Sequence, residues 1–330
     1  MNAEQSFITD KSKCQQSVLI VGGGPSGLAT ALMLAKRGWT DITVLEQRST
    51  ADYYEPDKSF NYLIDGRGQK FTDYLGITSN LPTIGVSTQE FSLTRIAPNG
   101  SIKSSKLPIV DPKRKTSYWI TRKAFVRMLY QEAQNWQDCI KVLFNAKCVE
   151  INKITTNNQE DKLDVIAEVG KDNFVRFAPS LLIGCDGLRS LVRQTLAEWD
   201  TSGLNKFQMQ LFPCDSAGLR YKVLSLPPQP ILDHDGAEYA VSERAYIVLA
   251  ALRHPQRYLR LGILPVKDPE EPRTANLTLP ELEIRGFLLH GDSNEFTLSK
   301  HLDRMPYGCK SFYKNYLRGC HISISYIAAI

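Results

Sequence analysis

Several things are scarce in this sequence, and each scarcity excludes a class of function. Its seven cysteines (Cys14, Cys139, Cys148, Cys185, Cys214, Cys309 and Cys320) include no CxxC pair and no regular spacing. That argues against a zinc site and against a disulfide framework, and it fits a reducing compartment. Five histidines are scattered among 330 residues, with no Ser/His/Asp arrangement and no paired acids at a useful spacing. No metal set and no general base can therefore be named.

Long apolar runs are also missing. The longest, Tyr246 to Leu252, falls far short of the roughly 20 residues that span a bilayer. The first 17 residues mix Glu4 and Asp10 with Lys11 and Lys13 and contain no arginine, unlike a signal or transit segment. Residues 1–16 read as a disordered leader, and the expected location is the cytoplasm. Charge is not massed either: the net charge is +5 and the densest run is Lys113-Arg114-Lys115. A solvated loop accounts for that run, so nucleic acid is not expected as a partner.

What is present starts with a strand. Val18-Leu19-Ile20-Val21 is an apolar, β-branched run ending in Gly22-Gly23-Gly24. A helix is expected from Pro25 to Arg37, with apolar residues at helical spacing and Gly38 as its stop. Ile42-Thr43-Val44-Leu45 reads as a second strand, and so compact a strand–helix–strand implies a parallel pair.

Within it lies Gly22-x-Gly24-x-x-Gly27, in the strand–turn–helix setting that gives this pattern its meaning. Gly22 permits the tight turn, Gly24 lets the backbone approach a pyrophosphate, and Gly27 lets helix and sheet pack closely. The helix start, with Pro25 and Ser26, offers N–H groups and partial positive charge to phosphates. Glu46 ends the second strand, where an acidic side chain accepts hydrogen bonds from the adenosine ribose. A carboxylate there repels a 2′-phosphate, so FAD or NAD is expected rather than NADP. The bland alternative is a glycine-rich turn with an incidental surface glutamate.

A second motif separates the flavin from the nicotinamide reading. Leu182-Ile183-Gly184-Cys185-Asp186-Gly187, followed by Leu188-Arg189-Ser190-Leu191-Val192-Arg193, resembles the second fingerprint of the flavoprotein aromatic-ring hydroxylases, nearest to their kynurenine 3-monooxygenase branch. The resemblance covers residues 17 to 265. It implies that Asp186-Gly187 sits against the FAD pyrophosphate and ribose; on the alternative reading Asp186 only caps a helix. It also implies that Arg67, in the Arg67-Gly68 segment, runs beside the flavin, and that Arg122, opening a long helix, contacts the FAD phosphates. Either arginine is alternatively an ordinary surface residue.

The resemblance further implies FAD as cofactor, NAD(P)H as co-substrate, O2, and a small aromatic substrate that becomes hydroxylated. Arg95 and Tyr118 lie near the region where kynurenine hydroxylases hold a substrate carboxylate, though each is displaced from the family spacing. Both read equally well as sheet-surface residues. The family's third signature, Gly-Asp-Ala-Ala-His, has no match: Gly291-Asp292 is followed by Ser293-Asn294-Glu295 and comes too soon after Asp186. The chain is therefore expected to be incomplete at its C-terminus. A reductase or oxidase on the same scaffold, or a non-catalytic FAD-binding module, remain alternatives.

The expected fold is α/β. A Rossmann-type FAD-binding domain spans 17–197, with a loose hairpin region at 80–117. A mainly antiparallel sheet domain spans 198–330.

Overall fold

In the computed structural model, the described residues are 15–53, 61–97, 99, 101–108, 114, 116–155, 161–210, 212, 219–226, 228–229, 231–233, 238–239, 241–251 and 258–280. Residues 1–14 of the expected leader (1–16) and the Gly291-Asp292 segment lie outside them.

Strand β1 (Val18–Val21), helix α1 (Pro25–Ala35) and strand β2 (Ile42–Leu45) come first. Strand β3 (Asn61–Ile64), α2 (Gly66–Leu75) and the short α3 (Leu81–Ile84) follow. Next come β4 (Val86–Thr88), β5 (Glu90–Ile96), β6 (Ile102–Pro108) and β7 (Ser117–Thr121), leading into α4 (Arg122–Gln134). The strands β8 (Ile140–Leu143), β9 (Ala146–Thr155), β10 (Asp161–Val169), β11 (Phe174–Phe177) and β12 (Leu181–Gly184) precede α5 (Leu191–Trp199). The remaining elements among the described residues are the strands β13 (Leu219–Leu226), β14 (Ile231–Asp233), β15 (Glu238–Tyr239), β16 (Tyr246–Ala251), β17 (Tyr258–Ile263) and β18 (Arg273–Pro280).

These elements form two compact units that interleave along the chain. Of the described residues, one takes 15–53, 75–77 and those from 123 to 210; the other takes 61–74 and those from 78 to 122 and from 212 to 280. This corrects the expectation of a single boundary near residue 197. The reason is strand pairing: β5 lies parallel beside β16, Ser92 opposite Tyr246 through Ile96 opposite Ala250, which draws the 80–117 region into the second unit.

The first unit is built on a four-stranded parallel sheet in the order β12-β1-β2-β8. Alternation along β1 and β2 divides its apolar side chains between two faces. Val18, Ile20, Ile42 and Val44 point one way. Helix α1 packs there on β1, β2 and β8, burying Leu28, Ala31, Leu32 and Ala35. Leu19, Val21 and Leu45 point the other way, into a cluster with Ile151, Val165, Ala167 and Val192, supplied by the antiparallel β9–β11 meander and α5. Each fully buried Leu or Val contributes about 1.5–3 kcal/mol, so both faces of the sheet are anchored.

The second unit holds a six-stranded sheet, β13-β18-β17-β16-β5-β6, in which β16–β5 is the parallel pair, and a three-stranded sheet, β3-β7-β4. Arg273 is fully buried in this unit. It donates to the carbonyls of Leu264 (2.9 Å), Val241 (3.0 Å) and Arg244 (2.7 Å) and stands 5.7 Å over the Tyr246 ring. Burial pulls its pKa down to about 10. Among the described residues no helix is long and apolar enough to cross a membrane.

Candidate cofactor site

β1 is central to the first unit's sheet. The chain leaves it for β2 on one side and returns through β12 on the other. The crevice beyond the C-terminal ends of β1 and β12 is therefore a topological switch point, where α/β sheets bind ligands. In-register pairing from Val18–Leu181 to Val21–Gly184 brings both glycine-containing motifs to that crevice side by side.

The turn after β1 tolerates no side chains. Gly22 has φ +102°, and a Cβ on it would lie 2.4 Å from the Cys185 carbonyl oxygen. A Cβ on Gly27 would lie 1.8 Å from the Gly22 carbonyl oxygen. The Gly22 N–H donates to the Leu45 carbonyl and the Cys185 N–H to the Val21 carbonyl, extending the sheet hydrogen bonding one residue into each motif. Gly24 is the N-cap of α1 and Pro25 its first residue, with no side-chain cap and no acid in the first turn. The helix start around Ser26 thus presents its N–H groups and positive end with no side-chain cap.

Glu46 is buried and already engaged. Its Oε2 accepts from the Gly23 N–H at 2.9 Å, and its Oε1 accepts from the Arg48 N–H at 2.8 Å. The Arg48 guanidinium stands 3.4 Å from the same Oε1. Both Arg48 groups donate to Oε1, whereas Oε2 takes the Gly23 N–H alone, so the side chain is aimed by the turn and Oε2 retains a lone pair for one ligand hydroxyl. Gly23 went unnoticed in the sequence reading. A Cβ there would lie 2.7 Å from the Glu46 Cβ, so the middle residue of the Gly22-Gly23-Gly24 triplet is the one that admits the acid.

Asp186 combines the two sequence readings. Its Oδ2 accepts from the N–H groups of Leu191 (2.7 Å) and Val192 (3.4 Å), capping α5 beside the Ser190 hydroxyl, which accepts from the Arg193 N–H at 3.0 Å. Its Oδ1 is buried and has no hydrogen-bond partner. One oxygen therefore holds the helix and the other is an unused acceptor at the switch point. Gly187 has φ +84° with open space around it. Gly184, part of the second motif but given no role there, is required because a Cβ would stand 2.8 Å from that of Val192.

Burial, with the Asp186 charge adding, pushes the Cys148 thiol up to about 11. The Cys185 thiol is also raised by burial, against a hydrogen bond with Thr30. Both stay neutral and offer no nucleophile. No cluster of three or more His, Cys, Asp or Glu able to hold a metal is present among the described residues.

Beyond Glu46 the first unit has a cleft of about 350 Å3, lined by Ser49, Thr50, Asp52, Arg127, Tyr130 and Phe144 among others. Tyr130 and Phe144 meet edge to face, 5.1 Å between centroids, and Arg127 stands 3.7 Å from Asp52.

The other expected residues lie in the second unit. Arg67, 90% exposed, pairs with Asp65 at 3.2 Å. The Asp65 Oδ1 accepts from the N–H groups of Arg67 and Gly68, 3.0 Å each, and so starts α2. The Gly68 bond foremost, with Arg67 adding, holds the Asp65 carboxyl below its usual range. Arg122 hydrogen-bonds the phenol of Tyr62, whose pKa burial raises and Arg122 opposes. Tyr118 lies on β7 opposite Ile64 and Ser87.

Arg95 lies on the six-stranded sheet, exposed, in a cross-strand row running Lys103, Arg95, Leu249, Arg260 and Thr278. Residues paired this way share a face, so the row places three cations on one side of the sheet. Arg95 and Tyr118 therefore belong to different sheets.

The sequence matches a known family. The FAD binding domain family model covers residues 15–248, and the chain belongs to that family. It is 23% identical over 215 residues to kynurenine 3-monooxygenase of Dictyostelium discoideum, covering 64% of this chain and 41% of the relative. It is 28% identical over 203 residues to violacein synthase of Chromobacterium violaceum, covering 58% and 42%. The chain thus spans about two fifths of the length of these relatives.

Solved structures share the fold. PqsL of P. aeruginosa, in complex with 2-aminobenzoylacetate, superposes with a TM-score of 0.59 at 15% identity, covering 94% of this chain and 74% of that one. The myxobacterial chondrochloren halogenase, titled a variant of FAD-dependent halogenases, gives 0.62 at 14% identity, covering 94% and 62%.

Proposed function

We propose that this chain is the FAD-binding part of a flavin-dependent monooxygenase that uses NAD(P)H and O2 to hydroxylate a small aromatic substrate. One observation carries the proposal: the two motif turns abut at the switch point, and Asp186 holds its Oδ1 there with no protein partner. The residues fit FAD. The uncapped start of α1, at Gly24, Pro25 and Ser26, would take the pyrophosphate; Glu46 would accept from the adenosine ribose; Asp186 Oδ1 would accept a further hydroxyl. The cleft between Thr50 and Phe144 has the size and aromatic lining for the adenine.

Bound FAD, once reduced by NAD(P)H, supplies the reaction with oxygen that no side chain can perform. The protein's part is to bind, orient and exclude water. Arg67 and Arg122 are the further cofactor-contacting candidates. Arg95, in its row with Lys103 and Arg260, would attract an acidic aromatic substrate, as a kynurenine-type enzyme requires; an arginine–carboxylate contact is bidentate and selective. Tyr118 is the second substrate-contacting candidate.

The test is NAD(P)H oxidation by the FAD-loaded protein with kynurenine and simple phenols. Oxidation that rises with an aromatic compound and yields its hydroxylated product supports the proposal. Oxidation that ignores aromatic compounds places the chain among reductases or oxidases instead.

A further inference from the structure

The hairpin of β5 and β6 carries a reactive pair of residues at its tip. The strands pair from Glu90 opposite Pro108 to Ile96 opposite Ile102. Beyond that pair the Ala97 N–H donates to the Ser101 carbonyl at 2.9 Å and closes the ladder. Asn99 stands at the tip, exposed to solvent. Its Oδ1 accepts from the Ser101 N–H at 3.0 Å, so its side chain is turned forward along the main chain. The same hydrogen bond draws electron density from the amide carbon Cγ and makes it easier to attack.

The attacking atom is the backbone nitrogen of Gly100. Asn99 is the one asparagine in the sequence that glycine follows; after every other, a side chain crowds the approach and restricts the backbone. Once the Gly100 nitrogen has lost its proton, it closes a succinimide ring on Asn99. A bond forms between that nitrogen and Cγ, the Cγ–Nδ2 bond breaks, and ammonia leaves with a proton taken from water. Water then opens the ring at either carbonyl. Opening at Cγ gives aspartate; opening at the backbone carbon gives isoaspartate, with the main chain routed through Cβ and Cγ. Amide and water become carboxylate and ammonium, and nothing is oxidised or reduced.

We propose that Asn99 is a site of spontaneous covalent modification, deamidating through this ring, and that the isoaspartate product loosens strand β6. Among the described residues β6 pairs with β5 alone, and its side chains are mostly exposed. Its register is set by the length of the connection at the tip. Isoaspartate adds one main-chain atom there and breaks the match of Ala97 with Ser101. Aspartate adds charge only.

The full chain and Asn99→Gln are incubated in mildly alkaline and in mildly acidic buffer, digested and weighed by mass spectrometry. Isoaspartate is located with an isoaspartyl methyltransferase. The Asn99 peptide is expected to gain about one dalton, NH2 becoming OH, ahead of every other asparagine peptide, and to contain isoaspartate. The rate should rise about tenfold per pH unit, because the attacking nitrogen must first lose its proton. Asn99→Gln should show no gain at this position, since its longer side chain closes a larger ring more slowly. Hydrogen exchange is then compared in fresh, aged and Asn99→Asp protein, and exchange across β6 should be faster in the aged protein alone.

No gain at Asn99, a gain without isoaspartate, or a rate that ignores pH would overturn the modification. Exchange across β6 that does not single out the aged protein would overturn the loosening.

Discussion

A methyl group on Gly22 would stand 2.4 Å from the carbonyl oxygen of Cys185. That distance joins the two halves of the site. Gly22 belongs to the turn after β1 and Cys185 to the turn after β12, so the approach of the two turns depends on a residue with no side chain. Gly22→Ala must also hold φ +102° with a Cβ, which costs about 1–2 kcal/mol by itself. With the clash added, the variant is expected to lose about 2–4 kcal/mol of stability and its FAD binding, read by urea melts and flavin fluorescence. Near wild-type values in both would show that the turns are free to separate.

Glu46 receives the Gly23 N–H on one oxygen and the Arg48 N–H on the other. Glu46→Gln replaces one of these acceptors with an amide that cannot accept. Losing a hydrogen bond to a charged group costs about 1.5–3 kcal/mol, so a loss of that order in stability is expected. FAD affinity should fall about tenfold, because an acceptor for the ribose is lost with it. A calorimetric titration that finds affinity unchanged would remove Glu46 from the nucleotide site.

The Asp65 carboxyl is held below its usual pKa by the Gly68 N–H and by Arg67. A carboxylate whose folded pKa is depressed stabilises the fold at pH values above its unfolded pKa of about 3.9 and loses that contribution as pH falls through the folded value. Asp65→Asn should therefore lower the melting temperature at pH 6 more than at pH 2.5. A deficit of the same size at both pH values would mean that the charge on Asp65 contributes nothing to the start of α2.

Arg95 shares its row with Lys103 and Arg260. If that row attracts an acidic substrate, Arg95→Met should raise the KM for kynurenine at least tenfold while leaving the KM for an uncharged phenol within about twofold. The salt dependence of the kynurenine reaction should weaken as well. Parallel changes for both substrates would make Arg95 a residue of the sheet surface.

The β1–turn–α1–β2 unit was legible because glycine placement and apolar period agree there, and because Glu46 falls at the strand end where the turn can aim it. Asp186 was legible as a choice between cap and ligand, and only the fold shows that its two oxygens divide the tasks. Helix α2 was missed because Gly66 and Gly68 depress its helix propensity; the Asp65 cap that starts it looks like one more loop residue. β7 was missed because Thr121-Arg122 draws attention to the helix it feeds. The interleaving of the two units was out of reach, since the β5–β16 pairing is set by packing between segments far apart in the chain.

The central claim is tested most directly by titrating FAD into the wild-type protein and Asp186→Asn, following flavin fluorescence, with melting temperatures measured alongside. In Asp186→Asn the amide oxygen can still accept from Leu191 and Val192, whereas the NH2 takes the place of the unused Oδ1 acceptor. The account predicts a stable wild-type complex, a variant within about 1 kcal/mol of wild-type stability, and FAD affinity lowered at least tenfold. A wild-type protein that is folded yet takes up no FAD, or a variant that binds it equally well, would contradict the account.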